Sequence, residues 1–161
     1  MPKIATQEKS ELVVIADDLL IEACDGRQTI WGNKQLFQWT ERLFANCNEP
    51  GKATPNTRFT LCRKIWNASF QEITRSLEIP DQHKLDSTQH QIVQFFRNYS
   101  YLLDPNGLAT FIPFRSDRRR YVASLGSHTE GGGGYANLRR FDDPTKWIER
   151  PRQFLFPTAT K

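Results

Sequence analysis

The feature that most constrains how this chain folds lies between Ile92 and Phe114, where two aromatic-rich runs flank Asp104-Pro105-Asn106-Gly107. Pro105 cannot take the positive φ of a type I′ turn, so the tetrapeptide predicts a type I turn with Gly107 as the left-handed bulge residue. That register sets Asp104 opposite Leu108 and Tyr101 opposite Phe111. Phe95, Tyr99, Tyr101, Leu103, Ala109, Phe111 and Pro113 then share one face, a coherent apolar side for a sheet. Gln94, Asn98, Ser100 and Thr110 fall on the other.

Other segments add to a sheet. Leu12–Ala16, Leu19–Cys24 and Gln28–Trp31 read as strands, with Asp25-Gly26 as a hairpin signal between apolar runs. Asn33 is placed to cap a helix carrying Leu36, Trp39, Leu43, Phe44 and Cys47, which Glu49-Pro50-Gly51 stops. Arg58–Arg63 alternates, with Phe59 and Leu61 on one face and Thr60 and Cys62 on the other, and predicts a strand. Phe70, Ile73 and Leu77 fit a short helix or a strand, ended by Pro80-Asp81. After the central hairpin, Arg118-Arg119-Arg120 leads into the apolar run Tyr121–Leu125. The glycines Gly131–Gly134 offer no side chains to pack and cost much entropy to order, which predicts a mobile loop. Order resumes over Asn137–Phe141, Asp143-Pro144 opens a helical turn with Trp147 and Ile148, and Pro151–Pro157 forms an extended Phe-bearing tail. Trp31, Trp39 and Trp66 lie on apolar patterns and are expected in the core.

Charge separates the chain where hydropathy does not. Twenty-two Lys and Arg against 18 Asp and Glu leave a formal +4 over 161 residues. All of it falls between Arg115 and Arg152, which hold nine bases and five acids, eight of the bases arginine. The planar guanidinium fork suits phosphates and stacks on rings, so an arginine bias points to a binding surface. Residues 1–161 thus read as one domain, with 1–114 a neutral strand and helix scaffold and 115–161 its basic, glycine-containing part.

Composition and motifs exclude several classes. The longest apolar run, Leu12–Ala16, is far below a membrane span, and Met1–Glu8 has no apolar core, so an intracellular, cytoplasmic protein is expected. Cys24, Cys47 and Cys62 are odd in number and widely spaced, indicating reduced structural thiols and no zinc ribbon. The glycine run lacks the Lys-Ser/Thr of a phosphate loop, and Pro80-Asp81 is followed by no spaced Glu-x-Lys, so no cofactor or metal is expected. Of His83, His90 and His128, only His128 lies in the basic segment, where a metal-independent RNA endonuclease could use it as acid or base. What stands out is the interleaving of Tyr121, Tyr135, Phe141 and Trp147 with arginines. Rings stack on unpaired bases while arginines pair with phosphates, the chemistry of single-stranded nucleic-acid grooves.

Two stretches also resemble a known family. Asp25-Gly26-Arg27-Gln28-Thr29-Ile30-Trp31-Gly32 is similar to the start of the small accessory subunit of type III-D CRISPR effector complexes. The run Val93–Arg115, with Phe96-Arg97, Tyr101, Asp104, Gly107-Leu108-Ala109 and Phe114-Arg115, resembles that family's later hairpin. Together they cover about a fifth of the chain. The resemblance implies a non-enzymatic subunit of a prokaryotic ribonucleoprotein in antiviral defense, associated with guide RNA and neighbouring subunits. It transfers no catalytic residues.

The expected architecture is α+β: an antiparallel sheet with hairpins, packed by one or two helices. Arg115, Arg118, Arg119, Arg120, Arg139 and Arg140 are the candidate contacts to RNA phosphates, and Tyr135 and Phe141 the candidate stacking rings. The alternatives are an endonuclease using His128 and an adaptor whose arginines meet acidic patches of a protein partner.

Overall fold

Alternating and continuous apolar runs build seven strands among the residues described by the computed structural model, which are 13–65, 69–76, 82–103, 109–127, 133–143 and 151–158. They are Val13–Ile21 (β1), Phe37–Thr40 (β2), Thr57–Ile65 (β3), Thr110–Ser116 (β4), Arg119–Ser127 (β5), Gly134–Arg140 (β6) and Pro151–Pro157 (β7). Two α-helices, Phe70–Ser76 (α1) and Gln89–Tyr99 (α2), and three short 3₁₀ turns complete the described elements. The strands form one sheet in the order β1-β3-β7-β4-β5-β6-β2. The fold is α+β, as expected, but the sheet is mixed: β4 runs parallel to β7 and β2 parallel to β6, while the other neighbours are antiparallel.

Strand alternation divides the core between the two faces. Phe59 and Leu61 of β3, Ile112 and Phe114 of β4, Ala123 and Leu125 of β5 and Leu155 of β7 pack on the side of α2. Cys62, Phe111, Val122, Phe154 and Phe156 pack on the opposite side with Phe70 and Ile73 of α1. Each fully buried Leu or Phe contributes about 1.5–3 kcal/mol of transfer free energy. β7 therefore does much to join the layers, because it alternates into both. Its Gln153 is also buried, and the Oε1 atom accepts a 2.7 Å hydrogen bond from Thr110 Oγ1 on β4. The expected tail is thus an inner strand, held by β3 on one side and β4 on the other.

The first run of the central hairpin is α2 instead of a strand. Thr88 and Gln91 form a reciprocal capping box: Thr88 Oγ1 accepts from the Gln91 N–H at 3.2 Å and Gln91 Oε1 from the Thr88 N–H at 3.0 Å. Ile92, Val93, Phe95 and Phe96 then follow at helical spacing and are buried, with Phe96 4.7 Å from Phe37. The period of two that suited Tyr99 and Tyr101 fails at Tyr101, which is 74% exposed. Of the second run, Thr110–Ser116 is the strand β4; the turn at 104–108 lies outside the described residues.

Three other expectations are corrected. Asp25-Gly26 closes no hairpin: β1 pairs with β3, and Gly26, at φ 86°, packs its backbone against Gly51 and Lys52, where a Cβ would come within 2.3 Å of the Gly51 carbonyl. The Asn33-capped helix is replaced by β2 and the 3₁₀ turn Arg42–Cys47, in which Phe44 and Cys47 keep their expected burial. Of the glycine run, Gly133 and Gly134 are buried, and a Cβ on Gly134 would meet the Phe96 ring at 2.2 Å. Close packing against α2 requires the missing side chain there. The helical reading of Phe70 and Ile73 stands, with Ser69 and Glu72 capping α1. Trp66, Leu77, Pro80-Asp81, Gly131, Gly132 and the Asp143-Pro144 turn with Trp147 and Ile148 lie, wholly or in part, outside the described residues.

Candidate nucleic-acid interface

The strand register gathers most of the sequence-selected arginines at one end of β4, β5 and β6. Arg115 pairs with Arg120 and Ser116 with Arg119 across β4 and β5; Tyr121 pairs with Arg140 and Val122 with Arg139 across β5 and β6. The two-residue connection Asp117-Arg118 has positive φ at both positions, 48° and 66°, the signature of a type I′ turn. It holds Arg118 and Arg119 out in solvent, and neither has an acidic partner among the described residues.

The arginines do not all do the same thing. Arg115 and Arg120 converge on Asp86, whose side chain is only 5% exposed, at 2.9 Å and 2.7 Å. The Arg120 guanidinium also lies 3.7 Å over the ring of Phe141. These contacts tie the β4–β5 hairpin to the segment that precedes α2. Phe141, expected as a stacking ring, is 8% exposed and belongs to the core on the α1 side. Arg140 is exposed and faces Asp142 at 3.2 Å, an open ion pair of little worth to stability. Arg139 is exposed at the surface of β6.

Tyr135 stands at the other end of β6, half-buried, with its ring close above Gly126: a Cβ added there would lie 2.2 Å from it. Directly across the β2–β6 ladder from Tyr135 is Trp39, 51% exposed. Facing residues of adjacent strands share a sheet face, and alternation along β6 brings Asn137 and Arg139 to that same face. Arg139 lies four residues, about 13 Å, from Tyr135 by the usual strand rise. Trp39 is the residue the sequence pattern misplaced. It fits a helical stripe with Leu36 and Leu43, whereas in β2 a register shift between Phe37, opposite Gly134, and Trp39, opposite Tyr135, turns the indole to the face away from buried Phe37.

The remaining candidates for chemistry take structural places. His90 is buried, and its Nδ1 accepts a 3.0 Å hydrogen bond from the Gly26 N–H, anchoring the 25–26 loop to α2. Burial pushes its pKa below the ordinary histidine value; the nearby Asp25 carboxylate opposes that shift and Arg97 adds to it. The side chain of His83 and the whole of His128 lie outside the described set. Cys24, Cys47 and Cys62 are free, buried thiols, all with raised pKa values through burial, Cys62 to about 12. Among the described residues no group of three or more His, Cys, Asp or Glu could hold a metal ion, and no helix is long and apolar enough to cross a membrane.

The β2–β6 face thus combines an open indole, a supported phenol and the Arg139 fork, while Arg118 and Arg119 project from the β4–β5 turn at the far end of β5. Such a surface can stack on flat rings and pair with phosphate oxygens. Compared with known families, curated proteins and solved structures, the chain matches no family model, no curated protein and no solved structure.

Proposed function

We propose that this protein binds single-stranded RNA as a non-catalytic accessory subunit of a ribonucleoprotein complex. The observation that carries the reading is the exposed Trp39 in register with Tyr135, on the sheet face that also presents Arg139. An indole with half its surface open gains further burial from a flat ligand laid on it. Arg118 and Arg119, raised on the turn, supply the phosphate contacts, while Arg115 and Arg120 hold the turn in place through Asp86. The finer reading, in which the RNA is a guide RNA and the complex a prokaryotic CRISPR effector in the cytoplasm, rests on the resemblance of the two stretches given above.

Binding of labelled single-stranded RNA across a salt series tests the proposal. Affinity falls steeply with salt, because each neutralised phosphate releases counterions. Trp39→Ala weakens binding by about 1–3 kcal/mol with the salt slope unchanged, as loss of one stacked base requires. Arg118→Ala with Arg119→Ala lowers the slope by about 2. RNA binding that is undetectable, or indifferent to both salt and Trp39, refutes the reading in favour of an adaptor that meets acidic protein partners. Cleavage of the RNA by the isolated chain, abolished by His128→Ala, refutes the non-catalytic part.

A further inference from the structure

A cleft of about 830 Å³, lined on one side by Arg115, Ser116 and Asp117 of the β4–β5 hairpin but not by Trp39 or Tyr135, lies where the N-terminus of α2 meets the ends of β3, β4 and β7 and the loop around Lys52. We infer that it is a binding site for the phosphate group of a nucleotide, either free or as part of an RNA chain. Three independent features converge there. Lys52 and Lys84 line the cleft, are exposed, and have no acidic partner among the described residues. Ser87, 3% exposed, also lines it, and its Oγ has no hydrogen-bond partner among the described residues. Folding leaves that hydroxyl without the hydrogen bond it had in water, a loss that a ligand oxygen would make good.

The third feature is the helix start itself. In α2, Thr88 Oγ1 satisfies the Gln91 N–H and Gln91 Oε1 the Thr88 N–H, which leaves the first-turn N–H groups of Gln89 and His90 without intrahelical acceptors. Gln89 lines the cleft. These donors and the helix dipole favour an anion at this position. Of the acids that line the cleft, Asp86 is held by Arg115 and Arg120, while the Arg58 guanidinium, also in the lining, shares its charge with Asp18 at 3.5 Å. Glu49 and Asp117 remain, both exposed and screened by water. The volume falls within the range of small-molecule sites and admits a mononucleotide.

Calorimetric titration of the full chain with inorganic phosphate, adenosine 5′-monophosphate and a single-stranded RNA hexamer tests the site. Lys52→Gln and Lys84→Gln each weaken binding about tenfold, the effect of one lost charge-assisted contact, and the double variant about a hundredfold. Ser87→Ala weakens it several-fold while leaving the melting temperature equal or higher, and keeps the test readable should the lysine pair misfold. Trp39→Ala, which removes a ring that does not line the cleft, leaves phosphate and monophosphate binding unchanged, so the cleft and the Trp39 face fail or succeed separately. Binding of phosphate and the monophosphate identifies a free nucleotide as the source. Binding of the hexamer alone, weakened by the same cleft variants, identifies the RNA backbone. No binding of any probe, or affinities that neither cleft variant alters, overturns the inference.

Discussion

His90 shows how one side chain couples a loop to the pH. Its Nδ1 accepts the Gly26 N–H, which only the neutral imidazole can do, and burial lowers its pKa. The unfolded chain therefore binds a proton more readily than the folded one below about pH 6.5, the ordinary histidine value. The stability that His90 contributes is fully present above that pH and is lost as pH falls through the lowered folded value. Urea unfolding at pH 7.5, 6.5 and 5.5 is expected to show a decline that His90→Asn, whose side-chain oxygen also accepts a hydrogen bond, flattens; an unaltered decline would assign it to other groups. Asp86 makes a related point about charge. Five arginines stand close together at 115, 118, 119, 120 and 140, yet one buried carboxylate removes Arg115 and Arg120 from the binding inventory. Composition counts all five alike, and only the fold distinguishes those that build the surface from those that use it.

At the level of elements, the β4–β5 turn trades stability for presentation. Arg118 sits at φ 66°, a conformation that suits glycine or asparagine and costs a long side chain of order 1 kcal/mol or more. Arg118→Gly is expected to raise stability by up to about 1 kcal/mol, part of the relief being offset by glycine's greater freedom in the unfolded chain. The same variant should weaken RNA binding, with thermal melting and RNA titration moving in opposite directions. The sequence made β3 and the second half of the central aromatic segment legible, since Phe59, Leu61 and Phe111 fit a strand, whereas Phe70 and Ile73 fitted helix and strand alike and only the fold settles them as α1. It misled at α2 because Phe95, Tyr99, Tyr101 and Leu103 also satisfy a period of two. The capping residues Thr88 and Gln91, three apart, were the available signal for a helix. Trp39 was misplaced for the converse reason: four strand residues are too few to outweigh an accidental helical stripe. The arginine cluster was legible as a segment, but Tyr135 and Trp39, which pair, are 96 positions apart in the chain, and their pairing follows from sheet order alone.

For the molecule as a whole, the order of strands in space departs from their order in the chain. β7 is last in sequence yet stands between β3 and β4, with Phe154, Leu155 and Phe156 buried on alternating faces. A chain ended at Arg150 is expected to lose its cooperative thermal transition in calorimetry, because two inner strand edges and both core layers would be left open; retention of a sharp transition would show that the sheet closes without β7. Strands of the neutral first part and of the basic last part thus stand in one sheet. The same placement bears on how the protein is made. Until residues 151–157 emerge from the ribosome, β1–β3 and the β4–β5–β6–β2 unit have no strand to bridge them, and at roughly 5–20 residues per second that interval after β4 lasts seconds. During it the nascent chain carries two unpaired, aromatic-flanked edges into a crowded environment, so its yield in a cell depends on chaperone capacity and translation speed through the segment between β6 and β7.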